Sequence, residues 1–178
     1  MRIVYIAILL HSVLYACNSQ DDSMVENKMG GDSVVEDMME GGIKEMQPNA
    51  TAAMARVTNV SFTGGENNYN FSVTISSPDT GCNQYADWWE VISEDGKLIY
   101  RRILAHSHVN EQPFTRSGGK VAINEDSAVI VRAHMNNTGY GTKVFKGSVA
   151  TGFKEATIEK DFAADLENTT PLPQSCAF

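Results

Sequence analysis

Two histidines one residue apart, His106 and His108, stand in the stretch AHSHVNEQPF, with Glu111 three positions after the second. Imidazole nitrogen and carboxylate oxygen are the donors that hold copper, zinc and iron in proteins. On an extended chain, residues two apart project from one face, about 7 Å from each other. The pair therefore reads as two ligands of a site that a neighbouring strand would complete. His134, which ends a separate strand pattern and precedes Met135, is the candidate third ligand. His106, His108 and His134, with Glu111, would form a copper or zinc site. The competing reading needs no ligand. It leaves the histidines solvated or hydrogen-bonded at a strand end, with Glu111-Gln112-Pro113 as a loop, Phe114 as a plug into the core and Arg116 as a surface cation. The plainer reading is preferred.

Other side chains offer less. Trp88 and Trp89 are adjacent, so on a strand they point to opposite faces, and at most one is free to stack on a sugar. Asp87 and Glu90 would make a glycosidase pair only if the fold set their carboxylates at the right separation. G-x-S-x-G, the P-loop and H-E-x-x-H are all absent, so no catalytic residue is assigned and the chain is read as non-enzymatic. A net charge of −8 over 178 residues argues against a nucleic-acid partner, which needs a basic face. Three cysteines, Cys17, Cys82 and Cys176, leave one over in any pairing. If Cys17 is modified, Cys82 and Cys176 form either a disulfide or two free thiols. A bridge closing a loop of roughly 90 residues would contribute on the order of 4 kcal/mol in the chain-entropy picture.

The elements that must position these residues are short strands. Tyr69, Phe71, Val73 and Ile75 alternate with polar neighbours, the period of a half-buried strand. ADWWEVISEDGKLIYRRILAHSH follows as a hairpin with Asp95-Gly96 at its tip. A two-residue loop sets Glu90 opposite Arg101 and Trp89 opposite Arg102, a charge pair and a cation–π pair. Trp88, Glu90, Ile92, Ile99, Arg101 and Ile103 then share one face, and Trp89, Val91, Leu98, Tyr100, Arg102 and Leu104 the other. A three-residue loop would shift these pairs by one. Ser117-Gly118-Gly119 is expected to break the chain, and further short runs follow at Val121–Ile123, Ala128–Met135 and Lys143–Val149. About seven short strands bounded by Gly, Asn or Asp predict an all-β, antiparallel sandwich over residues 56–152. Residues 153–178 are expected to add a last strand or short helix and an extended tail. Five N-x-S/T triplets, at Asn49, Asn59, Asn70, Asn136 and Asn168, reflect a composition rich in Asn, Ser and Thr.

The first 16 residues, an arginine and then an apolar run too short for a comfortable span, read as an export signal. Residues 17–55 hold two Gly-Gly pairs and no aromatic residue. Eight acids and two lysines lie between Asn18 and Ala53, which is the composition of a flexible tether. Its methionines, at 24, 29, 38, 39 and 46, are soft copper donors but too irregularly spaced to make a repeat.

Four resemblances attach to these motifs. Leu14-Tyr15-Ala16-Cys17 resembles the lipobox of bacterial lipoproteins, although Tyr15 is bulkier than the usual residue there. The resemblance implies that Cys17 carries acyl lipid and anchors the mature chain to a membrane. Asn18-Ser19-Gln20-Asp21-Asp22 is similar to the acidic flank that sends some Gram-negative lipoproteins to the cell surface. Tryptophans on a central strand are similar to immunoglobulin and fibronectin type III domains; the disulfide pattern of antibody domains is absent, so the resemblance implies the architecture of an immunoglobulin-like sandwich alone. Binding of a protein or glycan partner is a separate expectation. Finally, His106-x-His108 followed by Glu111 and Gly118 is similar to the first metal motif of cupins. Its glutamate comes early, and the family's second motif has no counterpart before His134.

Overall fold

Residues 54–177 are described in a computed structural model of the chain. The export signal, Cys17 and the tether as far as Ala53, with its methionines at 24, 29, 38, 39 and 46, lie outside them, while Ala55 at the end of the expected tether is buried in the core. Nine strands follow in order: β1 (Arg56–Gly65), β2 (Asn68–Ser76), β3 (Ala86–Ser93), β4 (Leu98–Ile103), β5 (Phe114–Val121), β6 (Val129–Met135), β7 (Gly139–Tyr140), β8 (Lys143–Ser148) and β9 (Gly152–Thr157). One 3₁₀ helix, Ala164–Asn168, ends the series. The strands form two antiparallel sheets, β1-β2-β5 and β4-β3-β6-β8-β9, with β7 paired to β6. The all-β sandwich is as expected. The two-residue β7 is an added element, while β9 is the last strand expected near Phe153 and pairs along the whole of β8.

Alternation decides which side chains enter the space between the sheets. Phe71, Val73 and Ile75 from β2 meet Trp89 and Val91 from β3 and Val131 and Ala133 from β6, all 1% exposed or less. Burying each large apolar side chain there contributes about 1.5–3 kcal/mol. β3 and β6 are buried on both faces. A second apolar cluster lies on the outer face of the larger sheet, where Trp88, Ile92, Ile130, Tyr140 and Val144 are covered by Leu166 and neighbouring residues of the C-terminal segment.

The hairpin carries a correction. Glu90 does face Arg101 and Trp89 does face Arg102, yet the tip is wider than two residues, with the Ser93 N–H bonded to the Lys97 carbonyl and Gly96 N–H to Ser93 O. A register shift next to the tip pairs Ile92 with Leu98 while Val91 still faces Tyr100. The irregularity absorbs the extra loop residue, so the charge pair survives. It also exchanges two faces: Leu98 packs with the Trp88 cluster and Ile99 with the Trp89 core, the reverse of the simple alternation. The cation–π pair changes too. The Arg101 guanidinium lies 4.4 Å from the Trp88 ring centre, while Arg102 Nε donates to Ser117 O of the other sheet at 3.1 Å.

Ser117-Gly118-Gly119 does not break the chain; it lies inside β5. A Cβ on Gly118 would stand 3.1 Å from Trp89 Cζ2 and 3.1 Å from Arg102 Cδ, and closer still to the Tyr100 hydroxyl oxygen. The missing side chain here makes room for three residues crossing from the facing sheet.

Candidate functional site

The most heavily bonded polar cluster lies under the outer cluster. Glu90 is fully buried on β3 and accepts from two guanidinium groups, Arg101 Nε at 2.8 Å from β4 and Arg132 Nε at 2.8 Å from β6. Terminal nitrogens of both arginines close the ion pairs at 2.6 and 2.8 Å. One carboxylate between two cations leaves a surplus positive charge, and backbone carbonyls meet it. Arg101 donates to the carbonyls of Leu166, Thr169 and Pro171 at 2.7, 2.5 and 3.0 Å. Arg132 donates to those of Phe162 and Ala163 at 2.6 and 2.8 Å. The Arg132 guanidinium also sits 3.5 Å over the Tyr140 ring, and burial beside Glu90 pushes that phenol far above its ordinary value. This cluster fastens the C-terminal segment to the sheet. Its carboxylate is committed, so Glu90 cannot serve as a glycosidase acid or base.

Beside it a depression of about 700 Å³ opens between the ends of β3 and β6 and the C-terminal segment. Its floor holds Asp87, Trp88 and His134, and its rim holds the Cys82–Cys176 disulfide. Trp88 and His134 are directly opposed across β3 and β6, and their rings stack with centres 3.6 Å apart and planes at 7°. Asp87 Oδ1 lies 2.7 Å from His134 Nδ1. An ionised Asp87 holds the proton on Nδ1, which leaves Nε2 as the ring's open nitrogen. Burial pushes the Asp87 carboxyl up from its ordinary value, and the hydrogen bond from His134 pulls against that.

The structure separates the histidines paired in the sequence reading. His106 and His108 lie in the β4–β5 loop rather than on a strand, with ring centres 4.5 Å apart. His106 is exposed. His108 is 3% exposed and stacks on Phe114 at 3.7 Å. Its backbone N–H donates to Asp79 Oδ2 at 2.8 Å, but neither ring nitrogen has a hydrogen-bond partner. Burial pushes the imidazole down to about 4, helped by Arg116 and His106. Glu111 is taken by Arg116, 2.7 Å from its Nη2. His134 faces the larger depression, whereas His106, His108 and Glu111 line a smaller one. Among the described residues, no group of three or more His, Cys, Asp or Glu side chains could hold a metal ion. Nor do the tryptophans offer a stacking surface, since Trp88 and Trp89 are 3% and 0% exposed.

Sequence reasoning found the Glu90–Arg101 pair and missed Arg132, Asp87 and His134 as partners. Arg132 carried a usable signal, a charge inside the apolar run Val129–Met135. The Asp87–His134 bond spans 47 positions and had none.

No family model matches the chain, and no solved structure matches it. Among curated proteins, it is 34% identical over 98 residues to the "Putative lipoprotein" of Halomicrobium mukohataei, a match covering 55% of this chain and 48% of that one. The chain thus spans about half the length of the relative it is similar to.

Proposed function

We propose that this chain is a lipid-anchored protein of the cell envelope whose sandwich is a binding module rather than a catalyst. The observation that carries the reading is the partition of its cysteines. Cys82 and Cys176 are joined with their Cα atoms 5.6 Å apart, so of the three cysteines only Cys17, in Leu14-Tyr15-Ala16-Cys17, is left for lipid. A disulfide belongs to an oxidising compartment, which agrees with export through the preceding apolar segment. The name of the Halomicrobium mukohataei relative points the same way. The acidic flank Asn18–Asp22 favours the outer membrane or cell surface as the destination.

The strand order supports the immunoglobulin-like reading. β1-β2-β5 against β4-β3-β6-β8 is the order of such domains, and Trp89 on β3 occupies the core position of their buried tryptophan. Domains of this kind bind through one end of the sandwich, and here the end of β3 and β6 carries the 700 Å³ depression.

Detergent phase partition of the protein expressed in a Gram-negative host tests the anchor. The wild type is expected in the detergent phase, with acyl mass on Cys17, and Cys17→Ser in the aqueous phase. A Cys17→Ser protein that still partitions into detergent would overturn the reading.

A further inference from the structure

Resting on the reading of the sandwich as a binding module, we propose that the depression beside the Cys82–Cys176 bridge binds a small alkyl amine. Its ammonium group would be received by His134 Nε2, Asp87 and Glu167.

The floor is built rather than incidental. Asp87 and His134 are 4% and 6% exposed, and the Asp87 bond and the Trp88 stack fix the imidazole from two directions. Within the described residues His134 Nε2 has no hydrogen bond, and it is not among the fully enclosed unpartnered atoms, so it opens on the depression. The other oxygen of Asp87 has no hydrogen bond to another described residue and is likewise absent from the fully enclosed unpartnered atoms. Both atoms are acceptors that a donor entering the depression can reach.

The uncommitted groups choose the ligand. Asn136 is used at both ends of its amide, accepting from Tyr85 N and donating to Cys82 O, and the Asn137 amide donates to Gln84. The titratable side chains on its floor and rim are acceptors: His134 Nε2, an Asp87 oxygen and the Glu167 carboxylate. The donors on the lining, among them Tyr85, Thr138, Asn168 and Ser175, are neutral, and among the described residues no lysine or arginine lines it. The nearest cation, Arg101, has its guanidinium committed to Glu90, Tyr140 and the carbonyls of Leu166, Thr169 and Pro171. A carboxylate or phosphate ligand would therefore meet like charge and no cationic donor. A sugar would lack an aromatic face, because Trp88 is buried. An ammonium group brings three donors and a positive charge, which matches three acceptors and two carboxylates. Leu172, 38% exposed and one of two large exposed apolar side chains among the described residues, stands on the rim with Pro173 and would cover the methylene part.

The test uses the full-length, disulfide-bonded protein and the tryptophan fluorescence of the Trp88 floor, titrated with n-butylamine, n-butanol and butyrate at neutral pH. The amine is expected to give a saturable change, with butanol and butyrate giving none over the same range. Glu167 is an exposed side chain, so Glu167→Gln keeps the fold and is expected to weaken the amine about tenfold, the scale of one charge-assisted bond. Asp87→Asn is expected to weaken it further, with an unchanged melting transition checked first. Equal binding of butanol or butyrate, or undiminished amine binding in Glu167→Gln, would overturn the proposal. Either result leaves the Cys17 partition experiment untouched, so the anchor and the ligand fail separately.

Discussion

Glu90 is the residue on which most of the polar interior depends. It is fully buried, and both oxygens are engaged by guanidinium groups that themselves have no water. Removing one member of such a set leaves the others charged and unpaired in a low dielectric. Glu90→Ala is expected to lower unfolding stability by about 3–5 kcal/mol, read from urea denaturation. His108 gives a second expectation, in pH. Its folded imidazole titrates at about 4, against an ordinary value of 6.5 for an exposed one. Between these values the unfolded chain takes up a proton that the folded chain refuses. Stability therefore falls as pH drops from about 6.5 towards 4, and the loss ends below the folded value. The charges facing His108 are Asp79, Glu111, Arg116 and His106. Replacing His108 with leucine should flatten that fall, whatever it does to stability at neutral pH. The comparison is the denaturation midpoint against pH in the two proteins.

At the scale of elements, the β3–β4 hairpin illustrates how a local irregularity protects a long-range contact. The wider tip would have moved Glu90 away from Arg101, and the register shift beside it restores the pairing one residue later. Hairpin tip chemistry in sequence, Asp95-Gly96, identified a turn but not its width. The disulfide ties two other elements, the loop before β3 and the C-terminal tail, across 94 positions. Besides the five carbonyls gripped by Arg101 and Arg132 and the packing of Leu166 and Phe162 on the outer cluster, this bridge and the Ala177 N–H on Ala105 O at 2.6 Å hold the tail to the sandwich. Replacing both cysteines with serine is expected to lower unfolding stability by about 4 kcal/mol, since the unfolded chain regains the freedom of a long loop. The measurement is equilibrium unfolding in urea, where a steeper slope is expected alongside the lower stability because the unfolded chain without the bridge is less compact.

The whole molecule needs its C-terminal segment as a third layer. One sheet face buries Trp89 and its neighbours against β1-β2-β5, and the opposite face of the larger sheet buries Trp88, Ile92, Ile130 and Val144 under residues that follow β9. Ending the chain after Thr157 would expose that apolar cluster and deprive two buried arginines of five carbonyl acceptors. Loss of the cooperative thermal transition, with aggregation during expression, is the expected outcome; a truncated protein that melts as the full chain does would contradict it.

Alternation at period two was enough to read most of the strands and the antiparallel class from the sequence, because those depend on neighbours a few residues apart. The Glu90–Arg101 pairing was read on a two-residue tip and stands because the register shift offsets the wider one. Cysteine arithmetic likewise anticipated the bridge. Three outcomes belong to tertiary structure alone. Gly118 and Gly119 look like a chain break and lie inside a strand, Gly118 where side chains from the facing sheet cross and Gly119 close against Tyr69 and Asn70 of β2. His106 and His108 look like ligands on one strand face, yet the chain has already left β4, and burial and a stack on Phe114 take His108 out of reach of His134. Asp87, Trp88 and His134 come together only through the β3–β6 register, and the tail closes beside them. No local pattern encodes such a meeting, because the residues that make it are distant in sequence and each, taken singly, is ordinary for its strand.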